Sequence, residues 1–246
     1  EAYRNYVMSE IDLWRQRILK EPYYSTQLTG RFQKKVNKLI PQKIHAAFTA
    51  AIKHMTEAVS RGVGYTTKDP LKGVAFAEVE LRVNDRISFY AKTAAVEGAV
   101  TGAGGILLGL ADFPLWLTVK MKMLFEIAAL YGYDANDYRE RIFLLHIFEL
   151  TFSGFDRQIH LLKIIDHWHD EQARLPVSIS EFDWRTFQQE YRDYIDVAKL
   201  LQLIPGIGAA VGTVVNFRLT NKLGKTAKNA YRLRWLHNTK TQLLID

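Results

Sequence analysis

Residues 44–59 read IHAAFTAAIKHMTEAV. Ile44, Phe48, Ala51, Ile52, Met55 and Val59 recur at helical steps and share one side of a helix that Gly62 ends. Upstream, Phe32, Val36, Leu39 and Ile40 keep the same spacing up to Pro41. Downstream, glycine and proline punctuate residues 62–73, which read as a loop. Helical spacing then returns through Phe76, Val79 and Val83, and again after Asp134 with Ile142, Leu145 and Phe148. Ser180, with Asp183 three residues on, has the pattern of a capping box opening a helix towards Ile204. No alternating stretch competes for a strand. The expected fold is all-α: a single-domain helical bundle over residues 1–246, without a linker.

Composition narrows the chemistry. Apolar residues make up 48% and charged residues 24% of 246, fractions of a chain that builds a core rather than a disordered one. The absence of cysteine excludes disulfides, thiolate zinc sites, iron–sulfur clusters and cysteine nucleophiles. The net charge of +7 is local. Residues 31–43 hold Arg31, Lys34, Lys35, Lys38 and Lys43, and residues 218–240 hold seven bases from Arg218 to Lys240, with no acid in either. These two stretches exceed the whole net charge, so the rest of the chain is mildly acidic. Such segregation points to contact with something anionic.

Two segments are unusually apolar. Gly98 to Ala111 has no charge, Asp112 interrupts, and Phe113 to Val119 continues; Leu200 to Phe217 is also uncharged. A membrane span needs ~20 apolar residues. Both segments are borderline, and Pro114 and Pro205 cut them. They fit buried core helices of a bundle or re-entrant and interfacial elements. Gly98 and Gly102 are four apart, as are Gly105 and Gly109. Each interior glycine costs a helix ~1 kcal/mol against alanine, so several together call for close helix approach. Gly208, Gly212 and Asn216 echo Gly105, Gly109 and Asp112. Nucleotide-binding motifs fail: Leu107 and Val211 stand where a GxGxxG needs its third glycine, and Leu219 stands where a P-loop ending Gly224-Lys225-Thr226 needs its first. Glu97 and Asp112 bracket the first segment. A carboxylate there is open to protonation, pairing with a lysine or binding a cation, and Asp112 before Phe113-Pro114 also suits a helix start.

GAVTGAGGILLGLADFP at 98–114, followed by AALYGYD at 128–134, resembles the EcsC protein family. LIPGIGAAVGTVVNF with the later Arg234-Trp235-Leu236 is similar to that family's C-terminal part, and Trp14 with KKVNKLIPQKIH to its N-terminal part. The resemblance covers nearly the whole chain. It implies a bacterial, helical, single-domain protein encoded beside ABC-transporter components, and it carries over no catalytic residue.

His146 with Glu149, and Asp156 with His160, are spaced to share helical faces, and Asp166, His167, His169 and Asp170 follow. They make a metal-dependent enzyme the alternative reading, although HExxH, a repeated Glu-x-x-His and GxSxG are all missing. Past Arg218, a basic stripe of Arg218, Lys222, Lys225, Lys228 and Arg232 opposes Leu219, Leu223, Ala227, Ala230 and Tyr231. A basic amphipathic helix is a membrane-surface element or the solvated face of a docked helix. No nucleic-acid reader motif accompanies it, so nucleic acid is not an expected partner. With no apolar secretory core in the first twenty residues, the expectation is a cytoplasmic protein held peripherally on the inner membrane leaflet. Lys34, Lys35 and Lys38 join the basic stripe in meeting the anionic surface. Transporter subunits are the expected partners, and a lipid or other apolar molecule between the glycine-bearing helices the expected ligand, with no cofactor.

Overall fold

The computed structural model describes residues 2–20, 42–61, 69–103, 113–183, 185–186 and 208–242. Among the described residues there are eight α-helices and no strand. In chain order they are α1 (Ala2–Leu19), α2 (Gln42–Arg61), α3 (Phe76–Ala103), α4 (Phe113–Leu130), α5 (Tyr138–Phe152), α6 (Phe155–Asp166), α7 (Trp168–Arg174) and α8 (Gly208–Gln242). The helical spacing of α2 sorts as expected, with Ala51, Ile52, Met55 and Val59 buried. So does that of α3, whose Val79 and Val83 are buried. The basic stretch with Lys34, Lys35 and Lys38 lies outside the described residues, as does the helix expected towards Ile204.

One start follows the sequence reading and one differs from it. α5 follows Asp134 as expected, and Asp137 caps it by accepting the Arg139 N–H at 3.0 Å. Asp134 turns the preceding loop by accepting the Asn136 N–H at 2.8 Å. Ser180 lies inside a short 3₁₀ turn, Ile179–Glu181. Asp183 is the capping residue there, accepting the Thr186 N–H at 3.0 Å.

α5 is buried nearly all round, and its Phe143, Leu144, Leu145, Ile147 and Phe148 form the middle of one continuous core. The long helix α8 closes that core against α3. Leu223, Ala227, Ala230 and Tyr231 have no exposed surface. α3 and α8 run antiparallel, with Glu80 meeting Arg232, Asn84 meeting Lys228 and Ile87 meeting Gly224. Gly224 marks a close approach, since a Cβ there would stand 2.6 Å from Ile87 Cγ1. This glycine of the failed P-loop pattern has a packing role.

Charges are built into this contact. Arg232 is only 3% exposed and grips the Glu80 carboxylate with both its Nε and its Nη2, the latter at 2.7 Å. Tyr3 from α1 donates to Glu80 at 2.6 Å, and Tyr131 after α4 donates at 3.2 Å. Burial alone would raise the Glu80 carboxyl, but hydrogen bonds from Arg232 and Tyr3 outweigh it and hold it below the usual carboxylate range. On either side of Arg232 in sequence, the Tyr231 hydroxyl and Arg234, the latter at 2.7 Å, both donate to Glu140 of α5.

Candidate functional site

Continuing the α3–α8 register beyond Ile87 and Gly224 brings Val96 level with Asn216. α4 joins the same level, because Trp116 Nε1 donates to Asn216 Oδ1 at 2.6 Å. The last turns of α3, the first of α4 and the first of α8 therefore share one end of the molecule. The described parts of both apolar segments of the sequence meet here. Gly98 and Gly102 lie in the closing turns of α3, and Gly208 and Gly212 in the opening turns of α8. Gly105, Gly109 and Asp112 lie outside the described residues; α4 begins at Phe113, the residue after Asp112.

Four large apolar side chains of this end face solvent: Val96 at 67%, Leu115 at 56%, Val214 at 47% and Phe217 at 37% exposed. Single exposed apolar groups are ordinary; these four stand on three helices that reach the same end of the molecule. Among the described residues no helix is long and apolar enough to cross a membrane.

One turn beyond Trp116 on α4 lies a residue that the sequence reading passed over. Lys120 has no exposed surface, and among the described residues its Nζ finds no hydrogen-bond acceptor. The ammonium rests over the Trp116 ring, 4.2 Å from the centroid. Burial lowers the Lys120 amine to about 7, and the charge of half-buried Glu97 partly opposes that. Of the roles open to Glu97, its field at a lysine is the one the structure brings together. The clue was the i,i+4 spacing of Trp116 and Lys120 within the otherwise apolar FPLWLTVKMKML.

One residue past Phe217 the surface turns basic. A cleft of about 340 Å³ opens between α1 and α8, with Arg17 on one wall and Arg218, Lys222 and Lys225 on the other. Trp14 and Ile18 supply apolar lining, and among the described residues no carboxylate lines it. Lys222 is steadied by donating to the Thr151 carbonyl at 3.0 Å, in the last turn of α5 where backbone carbonyls carry negative charge. The expected basic stripe is thus shortened. Arg218, Lys222 and Lys225 are exposed, whereas Lys228 turns inward to Asn84 at 3.0 Å and lies 3.7 Å from Glu80. Arg232 must be removed from the surface set, because Glu80 draws it into the core. Helical periodicity spaced these bases correctly and could not identify the acid facing them from a residue 152 positions away.

The candidate metal residues do not assemble. Glu149 has no exposure and is held by Arg157 at 2.7 Å, with His146 at 3.8 Å, while Asp156 and His160 are exposed on α6. Among the described residues no group of three or more histidines and carboxylates is arranged to hold a metal ion.

Comparison with known proteins gives sequence matches over nearly the whole chain. The protein called EcsC of Bacillus subtilis (strain 168) is 44% identical over 234 residues, covering 95% of this chain and 96% of that protein. A second protein of that organism, described as uncharacterized protein YdbA, is 31% identical over 141 residues, covering 57% of this chain and 52% of its own length. No solved structure matches. The EcsC protein family matches residues 5–236, and the chain belongs to that family.

Proposed function

We propose that this protein docks peripherally on an anionic membrane surface through the end shared by α3, α4 and α8, and serves there as an accessory to a membrane transporter. The observation that carries the reading is the adjacency of two unlike surfaces. Four exposed apolar side chains sit at the tip, and Arg218, Lys222 and Lys225 begin one residue behind Phe217. Apolar side chains entering the headgroup boundary with bases behind them is the arrangement by which interfacial elements bind anionic lipid. The transporter partnership is supported by family resemblance alone, and a cytoplasmic position follows from the same reading.

Co-sedimentation with vesicles tests the docking. Binding is expected to phosphatidylglycerol-containing vesicles at low salt and to be weak on phosphatidylcholine alone. Replacing Leu115 and Phe217 together by serine is expected to weaken binding while leaving the protein folded, with a modest fall in unfolding temperature because Phe217 is only 37% exposed. Unchanged binding by that variant, or no binding by the parent, would remove the reading. The metal-dependent alternative draws no support from the arrangement of His146, Glu149, Asp156 and His160.

A further inference from the structure

We infer that the cleft between α1 and α8 is a binding site for a phosphomonoester group, a specific site beyond the diffuse attraction of a basic face to a membrane; its placement at headgroup depth, though not the site itself, rests on the docking reading. Four cations from helices about two hundred residues apart in sequence converge on one cavity of about 340 Å³ that no acid lines among the described residues. Arg17, Arg218 and Lys225 have no carboxylate partner among the described residues. Gathering four cations around one cavity carries a cost, since like charges close together repel. An anion of more than one charge relieves that repulsion. A phosphomonoester carries close to two charges near neutral pH and three acceptor oxygens, against one charge for a carboxylate or a phosphodiester.

The shape agrees. Two guanidinium groups can each present paired N–H donors to phosphate oxygens, and lysine ammonium groups add point charges. Lys222 is fixed by the Thr151 carbonyl, and the Gln158 amide by the Leu150 carbonyl at 2.9 Å, so part of the wall is preformed. Trp14, Ile18 and Leu150 give the organic part of the ligand an apolar wall. From Arg218 to Lys225 the helix rises about 10 Å at about 1.5 Å per residue, beginning one residue from the apolar tip. With α8 meeting a bilayer end-on, that is the depth of the headgroups.

Two sources offer this chemistry: the head group of a lipid such as phosphatidic acid, and a free compound such as glycerol 3-phosphate. Glycerol 3-phosphate is titrated against the whole protein by tryptophan fluorescence, with Trp14→Phe identifying the signal from the cleft. In parallel, binding is compared on phosphatidic-acid and phosphatidylglycerol vesicles matched in surface charge. Saturable fluorescence change lost in Trp14→Phe, and weakened at least tenfold in Arg17→Gln with Lys225→Gln, supports the site. Preference for phosphatidic acid then assigns the lipid source, and equal vesicle binding assigns the free compound. Both substitutions are at exposed positions, and an unchanged unfolding temperature excludes misfolding as the cause. No saturable response together with equal vesicle binding overturns the inference, as does a response that the double substitution leaves intact. If no vesicle binds, the docking reading fails alone, because the glycerol 3-phosphate titration still decides the cleft.

Discussion

Lys120 shows how one buried charge sets the pH response of its surroundings. An amine lowered to about 7 by burial is neutral in the folded protein at pH values where the unfolded chain, near the ordinary 10.5, still holds its proton. Between those values the unfolded state binds more protons, so stability rises with pH. Below 7 both states are protonated and the full penalty stands; above 10.5 both are neutral and it is gone. At about 1.4 kcal/mol per unit the penalty is at most about 5 kcal/mol. Lys120→Met, similar in volume and apolar, is expected to raise stability at pH 6 and to flatten the rise above pH 7. Denaturant unfolding at a series of pH values measures both. A variant less stable than the parent at pH 6 would show that the contact with Trp116 outweighs the burial cost. Glu80 has the opposite sign. Its carboxyl is held low by Arg232 and Tyr3, against its own burial, so its contribution is complete above the usual carboxylate value and is lost as pH falls through the lower folded one.

Between elements, the α3–α8 contact is set by one missing side chain and one ion pair. Gly224→Ala gains up to ~1 kcal/mol of helix propensity but puts a methyl 2.6 Å from Cγ1 and 2.8 Å from Cγ2 of buried Ile87. Overpacking of that kind costs typically 1–3 kcal/mol, so a net loss of about 1 kcal/mol is expected. With Ile87→Ala present the clash is gone, and the double variant should be more stable than the sum of the two single losses. A strictly additive thermodynamic cycle would refute the close contact. Arg232→Met leaves Glu80 buried without its main partner, a change that costs about 3–5 kcal/mol. Lys225→Glu at an exposed position is expected to leave the unfolding temperature nearly unchanged. Calorimetry of the two variants separates the core base from the surface base. That distinction was not legible in sequence, where both belong to one evenly spaced stripe. Period alone told that Leu223, Ala227, Ala230 and Tyr231 face inward. Which bases turn inward depends on Glu80, and pairing across 152 residues leaves no trace in local spacing. The all-helical fold was legible for the converse reason, since apolar spacing within each helix is local.

For the molecule as a whole, the sequence displayed two apolar segments about a hundred residues apart, and folding makes their described parts neighbours. The antiparallel course of α3 and α8 and the Trp116–Asn216 bond do this, and neither could be read beforehand. The consequence is a tip that is apolar and a collar that is basic, and the two respond differently to salt. Charge attraction outside the bilayer is screened over ~10 Å at 0.1 M salt, and each lysine or arginine near an anionic surface is worth ~1 kcal/mol at physiological salt. Apolar insertion is not screened. Reversing Arg218 and Lys225 to glutamate is therefore expected to abolish vesicle binding at low salt, where the parent binds best. Leu115→Ser with Phe217→Ser is expected to weaken binding by the same factor at every salt concentration. Raising salt should weaken the parent towards a residual level set by the tip, and that residual should vanish in the serine variant. Co-sedimentation across a salt series on one vesicle composition gives both curves. A charge-reversed protein that still binds anionic vesicles as well as the parent would mean that Arg218 and Lys225 are only a solvated face. A serine variant whose loss disappears at low salt would mean that the tip stays outside the bilayer and that the collar alone holds the protein there.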